Sequence, residues 1–145
     1  MSTLPVTRPA WQRANVLLAV AAGGFLGSSA RHGLAVLLPT PAHGFPWSTF
    51  AVNVSGALVL GILLEVLLER FGPTRYARAF LGTGVLGSYT TFSTYMVETV
   101  LLAQEDRVVL AIAYLFASLV VGMAAAWLGM VIGRLIGRAG RGVER

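Results

Sequence analysis

The chain has no cysteine and no lysine, and only six of its 145 residues are acidic. Without cysteine there are no disulfides, thiolate metal sites or cysteine nucleophiles. The two histidines, His32 and His43, are too few for a dense metal cluster within one chain. No nucleophile, base and orienting group can be assembled, so an enzyme is not expected. Charge as a whole is scarce: 12% of residues carry it, against roughly a quarter in a soluble globular domain, too little to coat a water-facing surface.

Apolar residues fill the gap. They make up 56% of the chain, with a mean hydropathy of +0.74. Charge-free intervals run from Ala14 to Ala30, His32 to Leu64, Ala79 to Val97 and Val108 to Gly133. Since a membrane-spanning helix needs about 20 apolar residues, the composition places the chain in a bilayer. Four spans, at about 14–38, 47–69, 76–103 and 107–137, nearly exhaust the length, so residues 1–145 read as a single all-α integral membrane domain. Four short helices are too few to enclose a pore alone, and oligomerisation is the expectation. The segment Met1 to Arg13 before an apolar run also has the outline of a signal peptide, but the apolar stretch continues helically toward Leu38 and reads better as the first span.

The formal charge is +5 and the isoelectric point near 10.8, carried by eleven arginines. These sit at span ends, where they read as topology signals and contacts to lipid headgroups. No aromatic-basic platform accompanies them, so nucleic acid is not an expected partner. Nine of the eleven fall on the side of both termini: Arg8, Arg13, Arg70, Arg75, Arg78, Arg134, Arg138, Arg141 and Arg145. Arg31 and Arg107 fall on the other. Positive residues stay inside, which predicts cytoplasmic termini and a preferred orientation.

Pro39, Pro41, Gly44 and Pro46 predict a turn before a span that starts near Trp47 with Ser48 as its cap, and Gly72-Pro73 predicts its stop. In the third span Gly82, Gly84 and Gly87 precede the run Ser88-Tyr89-Thr90-Thr91-Phe92-Ser93-Thr94-Tyr95. Glycine weakens a helix and hydroxyls compete for its backbone hydrogen bonds, so a break is expected between Gly87 and Thr91. Broken backbone at membrane depth must face protein or water. Small residues at four-residue spacing mark close helix approaches, whether inside one chain or between subunits: Ala19, Gly23 and Gly27; Ala57 and Gly61; Gly129, Gly133 and Gly137.

Asn53 lies about two turns inside the second span, where an amide must be hydrogen-bonded or wet. It reads either as glue between helices or as part of an ion or water path. Tyr114 and Ser118 share one face of the fourth span; a tyrosine there is also an ordinary interfacial residue. Glu98, Arg31 and Glu65 lie toward span ends, where snorkelling or pairing with a loop arginine explains them.

Taken together, Gly24-Phe25-Leu26-Gly27 with Arg31, then Val52-Asn53-Val54-Ser55-Gly56, then the specific stretch Gly84 to Tyr95, resemble the Fluc (CrcB-type) fluoride channel family from about Ala14 to Gly133. The resemblance implies a passive fluoride channel that lets the toxic anion leave the cell, built as an antiparallel dimer of four-helix subunits with two narrow pores. It implies a structural sodium ion held by backbone carbonyls at Gly87 and Thr90. It also implies pore roles for Asn53, for the aromatic pair at Phe92 and Tyr95, for Tyr114 and Ser118, and for Thr49. The chemistry agrees: small, strongly hydrated fluoride needs directed donors, which Asn53, Thr91, Tyr114 and Ser118 supply, and aromatic edges are positive. Carbonyls freed by a break suit a cation.

Three positions depart from the family. Tyr95 stands where phenylalanine is usual, adding a hydroxyl beside the path; His32 replaces an aromatic; Ser28 replaces alanine. The arginine bias argues against a chain that inserts equally both ways and favours pairing with a homologous subunit of opposite orientation. The competing reading is a proton-coupled efflux transporter of the small multidrug resistance type. It wants an acid deep in the first span, which has none. A non-conducting accessory subunit would not need the broken third span.

Overall fold

The computed structural model describes residues 10–41, 44–69 and 75–141, with side chains described for 14–41, 44–66 and 76–137. Arg8, His43, Arg70, the Gly72-Pro73 stop signal and Arg145 lie outside the described residues. The described chain is all-helical: α1 (Ala10–Leu37), α2 (Trp47–Glu69), α3 (Arg75–Ala77), a π-helical segment (Arg78–Leu86), α4 (Gly87–Tyr89), α5 (Phe92–Gln104) and α6 (Val108–Arg141). Two windows, Trp47–Val66 in α2 and Val108–Gly137 in α6, are long and apolar enough to cross a membrane.

The turn before α2 is built as the prolines demand. The Gly44 N–H donates to the Pro41 carbonyl at 2.9 Å. The helix begins earlier than a Ser48 cap would place it: the Phe50 N–H donates to the Pro46 carbonyl at 3.0 Å, so Ser48 sits in the first turn. Proline suits this edge because it forgoes an N–H that no helical partner could accept. Between α5 and α6, Asp106 adopts φ 59° and Arg107 N–H closes back on the Leu102 carbonyl at 3.0 Å. A left-handed residue with that longer bond is how many helices stop.

Five glycines of the small-residue stripes, Gly23, Gly27, Gly61, Gly129 and Gly133, make close intrachain contacts. A Cβ on Gly23 or Gly27 would strike the carbonyls of Phe80 and Val85 in the π-helical segment. A Cβ on Gly61 or Gly129 would strike the carbonyls of Ala126 and Leu58, so α2 and α6 touch backbone to backbone. The π-helical segment lies where Gly84 meets Gly23, its Cα 3.0 Å from where a Gly23 Cβ would stand. The wide π turn was not foreseen in the sequence, where Gly82 and Gly84 signalled weakening only.

Packing is inverted relative to a water-soluble protein. Phe25 is 73% and Val109 84% exposed, with Leu17, Leu18, Phe116 and Trp127 also outward. The buried cluster is Tyr95, Leu102, Ala111 and Tyr114, ringed by Phe45, Phe50, Met96, Leu110 and Leu115. An apolar exterior around aromatic and polar contacts is what lipid, in place of water, selects.

Candidate functional site

The chain is interrupted between α4 and α5. Thr90 has φ −73° and ψ 156°, and Thr91 has φ −146° and ψ 123°, both extended. Each extended residue leaves backbone groups that a continuous helix would satisfy. The Thr90 N–H and hydroxyl both still donate to the Leu86 carbonyl, at 3.0 and 2.9 Å. Thr91 then becomes the N-cap of α5, its hydroxyl oxygen accepting from the Thr94 N–H at 3.2 Å.

Asn53 closes the gap from α2. Its Nδ2 donates to the Thr91 carbonyl at 2.9 Å, and its Oδ1 accepts from the Thr91 N–H at 2.8 Å. One amide thereby satisfies both backbone groups of the residue at the interruption. Two donors are diverted from the helical pattern in consequence. The N–H of Thr91, which would bond to the Gly87 carbonyl in a continuous helix, goes to Asn53. The N–H of Thr94, which would bond to the Thr90 carbonyl, goes to the Thr91 hydroxyl.

Two clefts meet at Thr91. The first, about 400 Å³, is polar, lined by Arg31, His32, Thr49, Thr91, Thr94 and Glu98 among others. The second, about 360 Å³, is lined by Asn53, Leu60, Gly87, Thr90, Thr91 and Phe92 among others. Phe92 is 74% exposed beside it.

Glu98, read from the sequence as a span-end acid, is the hub of the first cleft. Thr49 donates its hydroxyl to one carboxylate oxygen and Tyr114 to the other, each at 2.8 Å. Its partners are hydroxyls on two other helices, where the sequence suggested either snorkelling or a loop arginine. A signal was present: Thr91, Thr94 and Glu98 recur at the three- and four-residue steps of one helix face. Glu65 does pair with an arginine, Arg134 of α6, at 3.0 Å.

The Tyr95 ring is buried, and its hydroxyl donates to the Leu115 carbonyl of α6 at 2.7 Å. It lies 5.9 Å from the Phe92 ring at 58° and meets Tyr114 edge-on at 5.2 Å. Tyr114 is fully buried, and the Ser118 Oγ is buried without a hydrogen-bond partner. Of the residues singled out in the sequence, Asn53, Gly87, Thr90, Thr91 and Phe92 therefore gather at the second cleft. Thr49 faces the first, and Tyr95 and Tyr114 meet at the α5–α6 contact, with Ser118 one turn beyond Tyr114 on α6.

A family model described as CrcB-like protein, Camphor Resistance (CrcB) matches residues 18–130. The Fluoride-specific ion channel FluC 3 of Streptomyces avermitilis is 52% identical over 123 residues, 85% of this chain and 60% of that relative's own length. FluC 1 of Streptomyces coelicolor is 43% identical over 84% of this chain and 80% of its own. FluC of Paracoccus denitrificans is 38% identical over 83% of this chain and 95% of its own.

Proposed function

This chain belongs to the CrcB-like family, and from that premise we propose that it is a fluoride-selective channel exporting the toxic anion passively across the cell membrane. The single observation that carries the reading to particular residues is the interruption at Thr90–Thr91 clamped by Asn53. A membrane protein tolerates extended backbone only where protein or water satisfies it, and here it borders two clefts. The chain crosses the membrane four times, α3 to α5 forming one interrupted span, with both termini cytoplasmic. Fluoride passes Phe92 and Asn53 at the second cleft and runs on past Thr91, Ser118 and Tyr114, with Tyr95 and Thr49 packed beside them. The Tyr114 and Thr91 protons, held by Glu98 and Thr94 in the single chain, would turn to the ion as it passes.

The subunit works as an antiparallel dimer in lipid. The second cleft, with exposed Phe92 on its rim, is the surface a partner would cover. The arginine bias favours a homologous partner of opposite orientation. A structural sodium ion fits the same region, because the Gly87 and Thr90 carbonyls have lost the donors that a continuous helix would supply. Those two carbonyls would hold it, joined by the partner's, since a hard cation takes several oxygen ligands. When bound, the ion supplies a fixed positive charge near the anion's route.

The test is fluoride efflux from liposomes containing the purified protein, compared with chloride. Fluoride should pass far better than chloride with no proton or ATP coupling. Efflux that stops when the pH gradient is collapsed at constant electrical driving force would indicate an exchanger and sink the channel.

A further inference from the structure

Three consecutive residues at the interruption meet α2, each in a different way. The Tyr89 hydroxyl lies 2.9 Å from that of Ser55, which spends its own proton on the Ala51 carbonyl, so the tyrosine donates. Thr91 is held through its N–H and its carbonyl by the Asn53 amide. Between them Thr90 meets α2 by shape: its γ-methyl takes the space that a Cβ on Gly56 would need, and the Tyr89 ring is 3.2 Å from that point. The Thr90 hydroxyl is turned to the Leu86 carbonyl at 2.9 Å. A methyl seated on one side and a hydroxyl bonded on the other leave this β-branched side chain a single rotamer.

Asn53 and Gly56 are three residues apart on α2, so the amide and the bare backbone face the interruption together. Both line the second cleft, as do Gly87 and Thr90. The hold on the Thr91 N–H has a directional consequence for Thr90. That N–H and the Thr90 carbonyl belong to one planar peptide unit, and in a trans peptide they point in opposite directions. With the N–H on Asn53, the Thr90 carbonyl is directed away from it. The donor that would meet this carbonyl in a continuous helix, the Thr94 N–H, is on the Thr91 hydroxyl. Asn53 fixes one edge of the peptide, and the seat on Gly56 fixes the residue that carries the other.

A hard cation is held by the number and distance of its oxygens, so a carbonyl that supplies one must be kept in a fixed attitude by its surroundings. We propose that Gly56 and the Thr90 side chain are positioning residues of the cation site: the glycine seats the threonine methyl, and the seat holds the Thr90 carbonyl where it serves as a sodium ligand. The proposal rests on the sodium reading above and extends that site to a glycine on the neighbouring helix.

Thermal unfolding of the purified assembly in detergent, with N-methylglucamine replacing sodium at constant ionic strength, reads the site without transport. A ligand bound only by the folded state raises the melting temperature with its concentration. Gly56→Ala puts a methyl where Thr90 has its own. The sodium concentration that gives a set rise over the sodium-free melting temperature should then increase at least about fivefold, the low end for an overpacked contact. Gly56→Ala combined with Thr90→Ser moves that methyl across the contact and keeps the hydroxyl for Leu86, so it should return to within about twofold of the wild type. Gly129→Ala, whose new Cβ strikes the Leu58 carbonyl elsewhere on α2, should melt lower yet keep the wild-type sodium dependence. Wild-type sodium dependence in Gly56→Ala, a double variant as impaired as the single one, or the same loss in Gly129→Ala overturns the proposal. If Gly56→Ala does not fold, the double variant decides: folded with wild-type sodium dependence it supports the seat, and failure to fold or to respond to sodium overturns it. A wild type indifferent to sodium removes the sodium reading and the proposal with it. A wild type that responds to sodium but passes no fluoride defeats the channel reading alone, and the seat is still decided by the variants.

Discussion

Substituting Asn53 by aspartate separates the two tasks of its amide, because the shape is kept while one donor is lost and a charge gained. The acceptor toward the Thr91 N–H survives, but the donor that met the Thr91 carbonyl at 2.9 Å becomes a second oxygen. Leaving a buried acceptor unmet costs about 1–3 kcal/mol. The charge acts on the ion. At about 4 Å a carboxylate opposes a monovalent anion by about 1 kcal/mol in water and about 4 kcal/mol at the effective dielectric of a protein surface. With tenfold per 1.4 kcal/mol, throughput should drop by at least about fivefold and by as much as about a thousandfold. Asn53→Ala is the control, since it abandons both bonds without adding charge. It should melt at a lower temperature than Asn53→Asp yet conduct fluoride better. Initial efflux per protein from liposomes and thermal unfolding in detergent read the two effects separately. Wild-type throughput in Asn53→Asp would refute the reasoning, and equal losses in the two variants would assign the effect to the interrupted backbone alone.

Phe92→Ile should cut fluoride throughput about two- to tenfold by removing a ring edge worth about 0.5–1.5 kcal/mol; normal conduction would remove Phe92 from the path. Gly129→Ala should destabilise by about 1–3 kcal/mol, because the new Cβ meets the Leu58 carbonyl across α2, whereas Gly122→Ala, with nothing within 4 Å, should melt like the wild type. Equal melting temperatures for those two variants would contradict the backbone contact. Glu98→Ala should lower stability by about 2–4 kcal/mol, since it strands the hydroxyls of Thr49 and Tyr114 together; an unaltered melting curve would show that the hub is not structural. A reporter fused to the C-terminus should signal from the cytoplasm only, and equal signals from both sides would reject the fixed orientation and with it the preference for a homologous partner.

What could be read from the sequence was whatever depends on composition and local spacing. Apolar runs and punctuating glycines and prolines announce helices, and the run of hydroxyls after Gly87 announces backbone competition close to Thr90 and Thr91. Glycine stripes announce close approach but carry no record of the partner. Gly61 and Gly129 find each other only once α2 and α6 lie side by side and parallel, and Gly23 meets a π-helical segment that no periodicity encodes. The same limit explains Glu98. On its own helix it looks like a snorkelling acid, and its role as acceptor depends on Thr49 and Tyr114, 49 and 16 residues away.

Asn53 and Tyr95 bring the two levels together, because each is a polar group whose cost inside a membrane is met by another element's backbone. Asn53 was legible as an amide that needs partners, and the structure supplies both from one residue, Thr91. Tyr95 was legible as an added hydroxyl, and its acceptor, the Leu115 carbonyl, lies on a different helix. A single polar side chain in lipid thus raises a definite question about its partner, and the answer assigns the neighbours their chemistry. Asn53 claims the Thr91 N–H while the Thr91 hydroxyl takes that of Thr94, so neither donor reaches the Gly87 or Thr90 carbonyl. Tyr95 claims a carbonyl of α6 and ties α5 to that helix.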